Sequence, residues 1–231
     1  MSTLVLVHGA WHGGWVWQRV ASLLRAAGHE VHTPTMTGLC ERAHLLSPSV
    51  GLTTHIQDVS AYLEAYDLWD VVLVGHGYAG QVVTAVADWL PHRVRARVYL
   101  DAFLGGDGEA AIDLLPDAVA NHYRRLVEEA GFGWLVPARP PARLGVTEAA
   151  DVAWLGPRLT PHPWLTYTEP LRLTGSPETP AVFVECTGWS RVFRPHAERA
   201  AARGWPVHEL ETGHEAMVTA PKELADLLLA R

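Results

Sequence analysis

Two four-residue apolar runs, at 4–7 and 71–74, are uninterrupted by any polar side chain. A run of that length with no alternation predicts a strand buried on both faces. Weaker strand patterns follow at 30–33, 94–100, 182–184 and 207–210. Between them the apolar positions change to helical spacing. The spacing predicts helices over 15–27, with Val20, Leu23 and Leu24 on one face and Gly28 as the stop, and over 54–66, opened by a capping box at Thr54-His55-Ile56-Gln57. Further helices are predicted over 78–90, apolar almost all round and hence buried, over 192–202, and over 221–230 with Pro221 near its first position. Strands alternating with helices predict an α/β fold, a mostly parallel sheet of about six strands flanked by helices. After Phe103 the rhythm breaks. Residues 104–179 carry many prolines and tryptophans and no clear strand, and are read as a helical cap inserted into a core made of 1–103 and 180–231.

Composition narrows the function classes. The 231 residues are 48% hydrophobic and 19% charged, enough for a full core and against disorder. The net charge of -7 argues against a nucleic-acid or anionic-membrane surface. No apolar run approaches a membrane span, and the first residues lead straight into a strand without a signal-peptide pattern, so a cytoplasmic protein is expected. The 13 histidines are scattered with no metal-ligand spacing. Neither a metal nor a cofactor is expected. Cys40 and Cys186 alone make a poor disulfide framework. Nothing in the chain separates a monomer from a homodimer.

The chemistry concentrates at Gly75-His76-Gly77-Tyr78-Ala79-Gly80, where the second apolar run ends. This is the strand, tight turn and helix start of a nucleophile elbow, G-x-S-x-G(A), with glycine where the serine belongs. Such a turn strains the nucleophile's backbone and needs small neighbours two residues away, which Gly75 and Ala79 supply. The backbone N–H of Tyr78 is one expected oxyanion donor. The loop after the first strand, His8-Gly9-Ala10-Trp11, should supply the other from Ala10. A general base is expected after the last strand, where His214 stands. The orienting acid is Asp101, at the end of the strand over 94–100, with Glu185 as second choice. His76, His8 and His12 are read as shaping the turn and loop. Trp11, Tyr78, Phe103, Trp134 and Trp164 are expected to line the pocket, which fits a small apolar or aromatic substrate.

Together, His8-Gly9-Ala10-Trp11-His12-Gly13-Gly14-Trp15, the segment 75–80 and Gly213-His214 resemble the α/β-hydrolase superfamily over the whole chain. The first segment is similar to the opening of plant methyl-ester esterases and hydroxynitrile lyases. Thr37-Gly38-Leu39-Cys40-Glu41-Arg42 resembles a loop of bacterial esterase-like members. The resemblance implies a nucleophile, an acid and a base in that chain order, and some relatives place the acid where Asp101 stands. Hydroxynitrile lyases carry a threonine in the oxyanion loop and a lysine beside the base. Here Ala10 or Trp11, and Glu215, occupy those places, so cyanohydrin cleavage is disfavoured.

Glycine at 77 closes the acyl-enzyme route, whose loss in a well-studied protease costs a factor on the order of 10⁶. Three readings follow: a carboxylic-ester or lactone hydrolase whose serine was lost, naturally or by engineering; a non-covalent catalyst (cyclase, lyase or cofactor-free chemistry) using His214 and the oxyanion hole; or a small-molecule binder.

Overall fold

In the computed structural model, which describes residues 1–176 and 179–230, the two apolar runs lie side by side inside a six-stranded sheet. The strands are β1 (Thr3–Val7), β2 (Glu30–His32), β3 (Val71–His76), β4 (Val94–Leu100), β7 (Ala181–Cys186) and β8 (Val207–Leu210). Their order is β2-β1-β3-β4-β7-β8, and every pair is parallel. Alternate residues feed two cores. Val5, Val7, Leu73, Tyr99 and Phe183 pack on one side, against α2 (Leu52–Ala65) and α3 (Ala79–Trp89). Leu4, Leu6, Val72, Val98 and Val184 pack on the other, against α1 (Gln18–Ala26) and α9 (Pro221–Leu229). Both faces are covered at the centre of the sheet, so β1 and β3 have no polar side to show over their apolar runs.

Register sets up the site. Val7 pairs with Gly75, His76 with Leu100, and Leu100 with Val184. The carboxyl ends of β1, β3, β4 and β7 therefore finish level, and the loops leaving them meet. The chain runs outward in both directions from β1 and β3, which opens a crevice at that edge, the usual ligand position in open parallel sheets.

Gly75 sits where β3 meets α3. A Cβ there would lie 2.8 Å from the Ala79 carbonyl oxygen and 2.8 Å from a Val83 methyl. Gly75→Ala is expected to lower unfolding free energy by about 2 kcal/mol, because backbone cannot yield as a side chain does. A urea midpoint that does not move would show that the turn relaxes freely.

Several sequence expectations are corrected. Helix α2 begins at Leu52, with Gly51 as N-cap and Thr54 at the third position, its hydroxyl accepting the Gly51 N–H at 3.4 Å. The earlier start is supported by Glu169, whose carboxylate accepts the Thr53 N–H at 3.1 Å and its hydroxyl at 2.5 Å. An acid 116 residues away is invisible to a local capping pattern. Leu23 lies at the flank of the α1 stripe and is 40% exposed. Strand β7 runs on through Cys186, so Glu185 belongs to a strand rather than a loop.

Residues 104–176 are not free of strands. They hold α4 (Asp117–Ala130), α5 (Ala149–Leu155), α6 (Leu165–Thr168) and a short antiparallel pair, β5 (Leu135–Val136) with β6 (His162–Pro163). Two residues are too few for alternation to register, and a proline sits in one of them. This segment divides its packing. Tyr123 of α4 and Tyr167 of α6 join the core on the α2–α3 side. Leu155 of α5 joins the other core, where Trp154 meets Trp15 edge-on at 5.1 Å. Residues 177, 178 and 231, within the predicted cap and core limits, lie outside the described residues. Cys40 and Cys186 are free thiols. No described helix is long and apolar enough to cross a membrane.

Candidate active site

The turn after β3 places Gly77 at φ +54°, in the left-handed region. Its N–H donates to the Leu100 carbonyl at 3.2 Å, and its own carbonyl accepts the Phe103 N–H at 3.0 Å, which ties the turn to the end of β4. A Cβ built on Gly77 would point at His214, 3.1 Å from Nε2 and 3.4 Å from Cε1. The side-chain direction at position 77 is thus aimed at an imidazole nitrogen.

His214 leaves the loop after β8 and is held on three sides. The His76 ring donates through Nε2 to the His214 carbonyl at 3.1 Å. The Phe193 ring stacks flat on the imidazole, centroids 5.1 Å apart and planes within 10°. Asp101 Oδ2 meets His214 Nδ1 at 2.7 Å. Asp101 follows β4 directly with φ +43°, and that turn aims its carboxyl across the sheet edge. Its own N–H donates to Val184 at 2.7 Å, and Oδ1 accepts the Cys186 N–H at 3.2 Å. Glu185 does not share this site. Val184 and Cys186 face the α1–α9 core, so Glu185 projects from the opposite face of β7. There it pairs with Arg191 at 2.9 Å and Arg194 at 3.5 Å.

Burial dominates the electrostatics. It pushes the His214 imidazole down to about 3, with the charge of Arg139 adding to the effect. It pushes the Asp101 carboxyl up to about 8, opposed by the Cys186 N–H and reinforced by Glu185. Both directions have one cause, a water-poor pocket that disfavours charge. The Nδ1–Oδ2 contact makes the two groups titrate as a pair. With Nδ1 turned to Asp101, Nε2 faces Gly77.

The backbone N–H groups of Ala10 and Tyr78 make no hydrogen bond among the described residues. Their surroundings are fixed. Trp11 takes φ +68°, its N–H donating to His162 Nδ1 at 3.4 Å and its indole N–H to Val136 at 3.3 Å. The Tyr78 hydroxyl lies 3.2 Å from His55 Nδ1, and His55 donates through Nε2 to the Thr37 carbonyl at 2.9 Å. Trp11 is a bulky residue in left-handed backbone, a conformation that its hydrogen bonds to His162 and Val136 help hold.

These groups open onto a cleft of about 530 Å³, part of it open to solvent. Trp11, Tyr78 and Phe103 line it, as does His214. Trp134 and Trp164 do not. Trp164 instead stacks behind Tyr167 at 5.9 Å, and the Trp134 carbonyl accepts the Trp164 N–H at 2.8 Å. The aromatic wall is made by Tyr123, Tyr167, Trp189 and Phe193, with Arg139 among them. Sequence reasoning passed over all five. The stripe Ala120, Tyr123, Val127 at helical spacing was a usable signal for α4. Arg139, in a stretch without periodicity, offered none.

His12 and Glu215 also reach the wall, 3.4 Å apart and both buried. Burial pushes Glu215 well above the usual carboxylate range and His12 well below the usual imidazole range, which favours a neutral contact. His76, His214 and Glu215 are the described group whose possible metal-ligand atoms lie within 4.8 Å of one another. One nitrogen of each ring is already given to a protein acceptor.

A model of the alpha/beta hydrolase family matches residues 4–227. The chain is 40% identical to a carbendazim hydrolyzing esterase from Nocardioides sp. (strain SG-4G), over 100% of this chain and 99% of that protein. It is 26% identical to Methylesterase 18 of Arabidopsis thaliana, covering 97% and 95% of the two chains. An extracellular alpha/beta-hydrolase from a Paenibacillus species, described as sharing structural and functional homology with tobacco Salicylic Acid Binding Protein 2, superposes with a TM-score of 0.90 at 25% identity, covering 100% of this chain and 98% of that one.

Proposed function

The chain belongs to the α/β-hydrolase family, and on that premise we propose that it hydrolyses carboxylic esters or lactones of small apolar or aromatic molecules without a serine nucleophile. Gly77 stands at the nucleophile's place, His214 is the general base, Asp101 orients it, and the Ala10 and Tyr78 N–H groups form the oxyanion hole. Residues 104–179 act as a cap on the core of 1–103 and 180–231. The esterase names of two relatives support the reaction class.

One observation carries the reading. The side-chain direction of Gly77 ends 3.1 Å from His214 Nε2, and His214 lines the cavity, so the missing hydroxyl leaves a gap beside a neutral base. A water in that gap gives a proton to Nε2 as its oxygen attacks the substrate carbonyl. The oxyanion takes the two N–H groups, which have no competing acceptor among the described residues. The tetrahedral species then expels the alkoxide, which recovers the proton from Nε2. In its ionised form Asp101 accepts Nδ1–H and steadies the transient imidazolium. The same base and hole would equally serve a lyase or cyclase, which product analysis separates from hydrolysis.

His214→Ala tests the proposal on p-nitrophenyl esters of several chain lengths. General-base assistance of this kind is worth about 10²–10⁴-fold, and a loss of that size in kcat/KM is expected. The unaltered protein should show no stoichiometric burst of nitrophenol. Hydrolysis that survives His214→Ala unchanged would leave the chain a binder.

A further inference from the structure

Among the described arginines, Arg139 is the one that lines the cavity holding His214. Arg19, Arg42, Arg93, Arg191 and Arg199 each meet a carboxylate within 3.5 Å. Arg139 meets none among the described residues. It is half-buried on the wall of the cavity that holds His214. Its Nη1 donates to the Tyr123 hydroxyl at 3.2 Å, and its guanidinium carbon lies 5.6 Å from the centre of that ring. Its other N–H groups have no protein acceptor among the described residues. The chain as a whole is acidic, at -7, so an uncompensated cation facing a largely aromatic cavity goes against the prevailing charge.

The other ionisable wall groups do not cancel it. Glu215 is fully buried against His12, and burial favours its neutral acid. His12, His76 and His214 are held neutral by the same burial. Among the residues that line the cavity, Arg139 therefore carries the one fixed charge, and it is positive, while Asp101 lies behind His214 and is not on the wall. A guanidinium offers paired donors that match a carboxylate, and the surrounding rings exclude the water that would weaken the contact.

We propose that Arg139 is an anion subsite, and that the compound this cavity takes is a small aromatic or apolar molecule bearing a carboxylate. Where the hydrolase reading above holds, that compound also carries the reacting carbonyl, so that one end is fixed by Arg139 and the other by the Ala10 and Tyr78 N–H groups. The anion preference itself needs no turnover.

Binding is read by tryptophan fluorescence, since Trp11 and Trp189 line the cavity. The probes are phenylacetate and its neutral counterpart phenylacetamide. The unaltered protein should bind the carboxylate roughly 10–100-fold more tightly than the amide, the size expected of a charge-assisted bond in a poorly hydrated site. Arg139→Met should erase that ratio and leave amide affinity within about twofold. Arg139→Lys should keep part of it, because the charge stays and the fork is lost. Equal affinities in the unaltered protein, or a ratio that survives Arg139→Met in a variant with an unchanged melting temperature, would overturn the proposal. Turnover of uncharged p-nitrophenyl esters by the unaltered protein is scored separately. Its absence would remove the hydrolase reading and leave the binding result standing.

Discussion

Replacing Gly77 with serine is expected to produce a stoichiometric burst of nitrophenol from p-nitrophenyl esters and to raise their turnover by on the order of 10³-fold or more. The base, its orienting carboxylate and two unpaired N–H groups already surround the position. On the proposed reading, a hydroxyl completes the set. The substitution has a structural cost. Position 77 sits at φ +54°, where a side chain is disfavoured by about 1–2 kcal/mol. The new Cβ would also lie 3.1 Å from His214 Nε2, so the imidazole must give by a few tenths of an ångström. Gly77→Ala separates the two effects. It should lose the same stability and show no burst. A folded Gly77→Ser protein without a burst would mean that position 77 is an ordinary turn glycine and not the nucleophile's place.

The second large effect is acid unfolding. His8, His55 and His196 are held down to about 4, and His76 and His162 well below their ordinary value, in every case chiefly by burial. An unfolded chain protonates its histidines as pH falls through about 6.5, while the folded chain refuses those protons until about pH 4. The unfolded state therefore binds more protons across that window, and stability must fall as pH falls. His12 and His214 are left out, because each abuts a buried carboxyl whose own value is raised, Glu215 and Asp101, and whose contribution has the opposite sign. His8, His55 and His196 together remove about 4 kcal/mol between about pH 7 and about pH 5.5, and His76 and His162 act in the same direction. That is a large share of the stability of an ordinary domain, so the urea midpoint should fall steeply between pH 7 and pH 5. Unfolding free energies from urea melts at several pH values measure this directly. A flat profile over that range would mean that these rings are not buried in their neutral form.

The parallel sheet was legible in the sequence because its strands are covered on both faces, and β1 and β3 show that as unbroken apolar runs. The small residues around Gly77 could be read because a tight turn restricts which residues fit, and His214 because it stands directly after the last predicted strand. The helix starts were less legible. Thr54 looked like a cap, but Glu169, far along the chain, helps fix where α2 begins.

What the sequence by itself determined is therefore the strands and helices of the main sheet, their order, and a tight glycine-rich turn after β3. Each is a consequence of short-range sterics and apolar periodicity, which adjacent residues express. Only the tertiary structure decided which carboxylate reaches His214. Asp101 and Glu185 both end or follow strands in the sequence. The register of β4 on β7 and a left-handed turn at Asp101 bring one to the imidazole, while the alternation of β7 turns the other toward Arg191 and Arg194. The cavity wall was decided in the same way. Tyr123, Arg139, Tyr167 and Phe193 come from separate elements and meet only when the segment after β4 folds back over the sheet edge. Contacts of that kind depend on burial and on long-range register, and no spacing along the chain encodes them.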